Sequence, residues 1–126
     1  MLIIDSFIFY NELDMLLYRL SILDKYVDKF VIVESTHTFT GNPKKLFYDE
    51  NKLMFKQFES KIVHIIVNDF PYKSYVNNGL QWKNEEHQRN CISRGISILN
   101  LNDIDIILTS DLDEIPDPTI LEKLKT

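Results

Sequence analysis

The chain has 126 residues, enough for one compact domain, and its 44% apolar and 26% charged residues can build an ordinary core. A net charge of −5 argues against a nucleic-acid partner, which needs a basic face. No apolar run approaches a membrane span, no signal-like N-terminus is present, and Cys91 as single cysteine excludes an intramolecular disulfide and a cysteine-based zinc site. The absence of an Asn-x-Ser/Thr sequon completes a profile that fits a cytoplasmic protein, or a domain separated from its anchor.

The elements follow in chain order. Residues 2–9 are apolar, β-branched and aromatic, and predict a first strand. Asn11 is the expected cap of a helix with Glu12 and Asp14 in its first turn. Leu13, Leu16, Leu17, Leu20 and Leu23 recur at helical spacing and predict one face packed on a sheet. Residues 30–34 predict a second strand. Residues 36–51 read as irregular, with a turn at Gly41-Asn42-Pro43, and residues 53–58 as a short helix. A third strand is expected over 62–67, and a polar loop over 72–80 with a turn at Asn77-Asn78-Gly79. Residues 82–99 predict a long helix with Ile92, Ile96 and Leu99 on its buried stripe. A buried fourth strand is expected over 104–110. Asp117-Pro118 opens a last helix. Strands alternating with helices imply an α/β domain, with a mainly parallel sheet covered on both faces.

In such a sheet, ligands bind at the carboxyl ends of the strands. Asp111-Leu112-Asp113-Glu114 stands where the fourth strand ends, and alternation along extended backbone puts Asp111 and Asp113 on one side. Two adjacent carboxylates repel unless something positive lies between them, and a hard divalent cation with oxygen ligands answers that need. Glu34 and Asp69 stand at or just past other strand ends, extending an acidic rim suited to a cation or to sugar hydroxyls. Asp5, inside the first strand, reads as hydrogen-bonded in the core, and Glu114 as a supporting residue. Arg89 lies on the long helix, placed to neutralise a phosphate if that helix faces the rim. His37, His64 and His87 are widely spaced, show no zinc pattern and read as structural. Glycine-rich dinucleotide and P-loop fingerprints, the Gly-x-Ser-x-Gly elbow and the EF-hand glycine are all missing. With no phosphate loop, a phosphate has to be held through a metal, which points to diphosphate–metal chemistry such as transfer from a nucleotide-sugar.

Five segments in order carry a family resemblance. They are Asp5-Ser6-Phe7-Ile8-Phe9-Tyr10-Asn11-Glu12-Leu13-Asp14; Phe30-Val31-Ile32-Val33-Glu34-Ser35-Thr36; Thr38-Phe39-Thr40-Gly41-Asn42-Pro43-Lys44; Trp82 through Gln88-Arg89-Asn90; and Ser110-Asp111-Leu112-Asp113-Glu114-Ile115-Pro116. Together they resemble glycosyltransferase family 17 over nearly the whole chain. The resemblance implies a single GT-A, Rossmann-like nucleotide-sugar domain over residues 1–126. It implies a UDP-sugar donor, with N-acetylglucosamine as the sugar, and Mn²⁺ or Mg²⁺ on the Asp-x-Asp motif. By the same resemblance Asp113 is a metal ligand, Asp111 binds the metal or the ribose, Glu34 contacts the uridine and Arg89 lies near the nucleotide.

The reaction so implied inverts the anomeric centre and forms a β-1,4 linkage to a glycan or glycoprotein acceptor. A base takes the proton of the attacking hydroxyl while charge on the leaving diphosphate is neutralised. The family's acceptor half would follow the Asp-x-Asp motif, whereas this sequence reaches Thr126 soon after it, so a truncated donor part is the expectation. Two rivals stand beside this reading. A haloacid-dehalogenase-like phosphatase would carry its Asp-x-Asp after the first strand rather than here. A nucleotide-sugar-binding or assembly module would bind donor without turnover.

Overall fold

A computed structural model describes residues 1–72 and 80–125; the turn expected at 77–79 lies outside the described residues. Four strands, β1 (Ile3–Ile8), β2 (Lys29–Ser35), β3 (Ile62–Val67) and β4 (Ile106–Thr109), form one sheet in the order β3-β2-β1-β4. Every pairing is parallel, with Asp5 opposite Phe30 on one side and Leu108 on the other. The parallel α/β architecture expected from the strand–helix alternation is therefore present.

Alternation along the strands divides the core between two faces. Ile3 and Phe7 of β1, with Phe30 and Ile32 of β2, pack on one face against α1 (Leu13–Leu23) and the 3₁₀ segment Lys52–Lys61; Leu121 of α5 (Pro118–Leu124) joins them. Ile4, Val31, Val33, Ile65 and Val67 pack on the other face against Cys91, Ile92 and Ile96. Leu16, Leu20 and Leu23 of α1 are buried, as their spacing requires.

Several local expectations are corrected. Asn11 does not cap α1, because Glu12 occupies that position and no side chain closes the helix start. A short helix α2 (Phe47–Glu50) forms inside the stretch expected to be irregular. The long helix of 82–99 divides at Cys91 into α3 (Gln81–Asn90) and α4 (Ile92–Ile98). There the Cys91 N–H is shared between the His87 and Gln88 carbonyls, and Arg94 bonds back to Cys91 in a tighter turn. The fourth strand is shorter than expected and is an edge rather than a buried strand: Ile104 and Ile107 are exposed. Asp117 does cap α5, accepting from the Thr119 N–H at 2.9 Å. Among the described residues, no helix is long and apolar enough to cross a membrane.

One buried ion pair ties the two ends of the fold together. Arg19 of α1 and Asp5 of β1 are both 0% exposed and form a two-pronged pair at 2.8 and 2.7 Å. The remaining guanidinium N–H groups donate to the carbonyls of Asp111, Leu112 and Glu114 and to Ser110 Oγ. The Arg19 guanidinium also lies 4.6 Å from the Phe7 ring centre. Asp5 is thus a core residue, as expected, and its partner Arg19 fixes the backbone that follows β4.

Two outcomes follow from this packing. Replacing Arg19→Met leaves the Asp5 carboxylate buried and unpaired, and is expected to cost about 3–5 kcal/mol in urea denaturation. A loss under about 1 kcal/mol would mean the pair behaves like a surface salt bridge and holds little. At Gly95, a Cβ would sit 2.5 Å from Val31 Cγ1 and 3.3 Å from Ile65 Cγ1. Val31 is buried and β-branched, so it has little room to give. Gly95→Ala should therefore lower the melting temperature, overpacking outweighing the gain of about 1 kcal/mol in helix propensity. A raised melting temperature would contradict it.

Candidate active site

The carboxyl ends of β1 and β2, the loop after β4 and the face of α3 enclose a cleft of about 670 Å³. That size suits a small organic ligand. Its lining includes Tyr10, Glu12, Ser35, His37, Gln88, Arg89, Asp111 and Asp113. Three of the four residues expected at the site, Arg89, Asp111 and Asp113, are thus brought together.

The acidic loop reaches the cleft by a turn rather than by continued extended chain. β4 ends at Thr109, and the Glu114 N–H bonds to the Asp111 carbonyl at 2.9 Å. Leu112 turns inward and is buried, while Asp111 and Asp113 face the cleft on either side of it. The Glu114 carboxylate accepts the Asp111 N–H at 2.8 Å, a supporting role. Arg19 holds three carbonyls of the same turn from beneath. The two carboxylates therefore stand on a backbone fixed at both its N–H and its carbonyl groups.

Arg89 reaches this loop from α3. Its Nη1 lies 2.7 Å from Asp111 Oδ1, both side chains being partly exposed. The Asp113 carboxylate is exposed and has no hydrogen-bond or ion partner among the described residues. Asp111 is thus neutralised within the protein and Asp113 is not.

Two residues that the sequence did not single out place α3. Asn84, buried, donates to the Phe39 and Tyr72 carbonyls and accepts the Tyr72 N–H. Gln88, also buried, donates to the Val33 carbonyl at 3.0 Å. A polar residue at each of two positions one helical turn apart was their only sequence signal. Beneath Tyr10, Lys44 donates to the Ser35 and Lys45 carbonyls and lies against the Tyr10 and Phe47 rings. Burial draws its ammonium below the usual lysine range, against the opposing pull of Glu34.

Glu34 does not join the cleft. Its carboxylate is fully buried, accepts the N–H groups of Tyr48 and Asp49, and lies 2.6 Å from His64 Nε2. Strand alternation explains this: Glu34 shares the face of Phe30 and Ile32, and the next residue, Ser35, lines the cleft instead. Asp69 also leaves the expected rim. It pairs with Arg94 at 2.8 Å and with His87 at 3.1 Å, and these two partners hold its carboxyl down at about 2. Glu34→Gln is accordingly expected to lower stability by about 1–3 kcal/mol through unpaired buried groups. Urea denaturation that shows no loss of stability would contradict this structural role.

Comparison with known proteins identifies the family. The profile of glycosyltransferase family 17 matches residues 1–126. The chain is 30% identical over 110 residues to the human beta-1,4-mannosyl-glycoprotein 4-beta-N-acetylglucosaminyltransferase, a match covering 84% of the chain and 20% of that relative. The rat enzyme of the same name matches to the same extent, and the mouse enzyme at 29% identity. The chain thus spans about a fifth of the length of these relatives. No solved structure matches it. An α/β domain of this topology, matched from its first residue to its last, belongs to glycosyltransferase family 17.

Proposed function

We propose that this domain serves metal-dependent, inverting transfer of N-acetylglucosamine from UDP-N-acetylglucosamine to a glycan acceptor, with a β-1,4 linkage as the product. The reaction class rests on family membership and on relatives named as N-acetylglucosaminyltransferases. The observation that carries the site is the pair Asp111 and Asp113, held on one rigid turn beside Arg89 in a cleft of ligand size.

The donor set fits a hard divalent cation. It is all oxygen, it carries two negative charges, and one carboxylate has no hydrogen-bond or ion partner among the described residues. Asp113 would hold Mn²⁺ or Mg²⁺ directly, with Asp111 as second ligand or as ribose contact. When bound, the cation would supply charge neutralisation for the departing diphosphate.

The protein's own groups do the rest. Arg89 already faces the acidic loop, and its guanidinium would exchange Asp111 for a phosphate oxygen as donor enters. The Arg19 clamp would keep Asp111 and Asp113 in place as charge grows, so little reorganisation is needed at the moment of reaction. In the transfer, the bond from the anomeric carbon to the diphosphate oxygen breaks. A bond to the acceptor oxygen forms on the opposite face, and the acceptor proton leaves to a base. Glu12 and His37, both exposed, are the further cleft-lining groups able to take a proton.

Calorimetry with UDP, with and without Mn²⁺, tests this reading. UDP should bind more tightly with Mn²⁺, since the diphosphate completes the oxygen shell. Asp113→Asn should remove the Mn²⁺-dependent part while circular dichroism stays unchanged. Equal UDP affinity with and without the ion would sink the metal bridge. Metal-dependent binding without release of UDP from the sugar nucleotide would leave a donor-binding module instead.

A further inference from the structure

Behind α3, away from the acidic loop, three side chains of different chemistry converge. A carboxylate oxygen of Asp69, a ring nitrogen of His87 and the Cys91 sulfur all lie within 4.8 Å of one another. We propose that Asp69, His87 and Cys91 form a second cation site, selective for a borderline divalent ion of the zinc class, that fastens α3 to the end of β3. It is separate from the oxygen-only pair Asp111 and Asp113.

The local backbone makes the convergence inevitable. His87 and Cys91 are four residues apart, and the Cys91 N–H to His87 carbonyl bond of 3.0 Å keeps them one full turn apart on one helix face. Asp69 stands just past the end of β3 at Val67 and reaches the same point from the sheet. Zinc bonds of 2.0–2.3 Å in a tetrahedral set put ligand atoms roughly 3.3–3.7 Å apart. His87 Nε2 and Asp69 Oδ1 are already 3.1 Å apart. Small rotamer shifts of the three side chains would close the set.

The chemistry separates this site from the first. Sulfur, imidazole nitrogen and carboxylate oxygen together suit zinc, whereas Mg²⁺ and Mn²⁺ favour oxygen alone. The thiolate and Asp69 would balance the charge of a divalent ion. Arg94, which bonds both Asp69 oxygens at 3.2 and 2.8 Å, would remain as the outer partner that orients the ligating carboxylate. Burial falls outward from Cys91, through half-buried His87, to exposed Asp69. The site is thus closed on the protein side, with its fourth position and its entry path toward solvent. A His-x3-Cys spacing with one distant carboxylate belongs to none of the common zinc patterns, so only the fold brings these three residues together.

The consequence would fall on the cleft. Gln88 and Arg89 follow His87 directly, and they set the docking of α3 and its contact with Asp111. An ion on His87 would hold that register.

The test titrates Co²⁺, a coloured stand-in for zinc, into the intact protein under reducing conditions. One equivalent should produce the near-ultraviolet charge-transfer band of a thiolate–cobalt bond. The band should vanish in Cys91→Ser. It should require at least roughly 10-fold more metal in His87→Gln and in Asp69→Asn, each still folded by circular dichroism. An Asp111→Asn, Asp113→Asn double variant should keep it, and excess Mg²⁺ should not displace it. No band at one equivalent would overturn the proposal, as would a band unchanged in His87→Gln and Asp69→Asn, which would reduce the site to a lone thiol. Loss of the band in the double variant would also overturn it, by placing the metal at the other cluster.

Discussion

The buried pair of Arg19 and Asp5 is the constraint on which the site depends. Taking both charges out of water costs several kcal/mol per ion, and their attraction offsets that only if every remaining donor is satisfied. Here each N–H of the guanidinium has an acceptor: two on Asp5, the others on Ser110 Oγ and on the carbonyls after β4. A lysine would place one compact charge at this point and could not span Asp5 and the loop together. The pair is therefore better understood as positioning than as net stabilisation. It converts the end of an edge strand, normally the least ordered part of a sheet, into a fixed platform for two carboxylates.

That platform explains how two acidic side chains can stand on one turn. Asp111 takes its neutralisation from Arg89, and its N–H donates to the Glu114 carboxylate, while Asp113 is exposed. The cationic Arg19 lies beneath the same turn and adds a fixed positive field. Its contacts are to carbonyl oxygens, so the carboxylates themselves stay available. The arrangement separates scaffold from ligand: backbone groups face the buried arginine, and acidic side chains face the cleft.

The fold was legible in the sequence because its signals are repetitive. Leucine spacing gave α1, β-branched runs gave the parallel strands, and Asp117-Pro118 gave the start of α5. The misreadings lie where one residue decides. Glu34 was placed at a strand end correctly, but a strand sends successive side chains to opposite faces, and the one-residue phase turned Glu34 toward Tyr48 and His64. Arg19 passed unnoticed on a helix, where arginine is usually solvated, since nothing local marks a partner that is fourteen residues away in Asp5 and beyond ninety in the loop. The place of Arg89 beside the acidic loop follows from its position on the helix that leads to that strand. Asn84 and Gln88 lie in the same segment, but their roles are not readable from it, since their partners are backbone carbonyls.

The same geometry decides which ion pair can change partners. Arg89 holds Asp111 at 2.7 Å with both groups partly exposed, so this pair contributes little to folding and separates at low cost. A bidentate oxyanion would match the guanidinium fork better than the single Asp111 oxygen that it holds. Were Arg89 to turn away, Asp111 would stand beside Asp113 as a second unpaired carboxylate on the same turn. The buried Arg19–Asp5 pair cannot make such an exchange, because breaking it strands a charge in the core. Two arginines thus divide the labour by burial: the enclosed one fixes the acidic loop, and the exposed one is free to change partners.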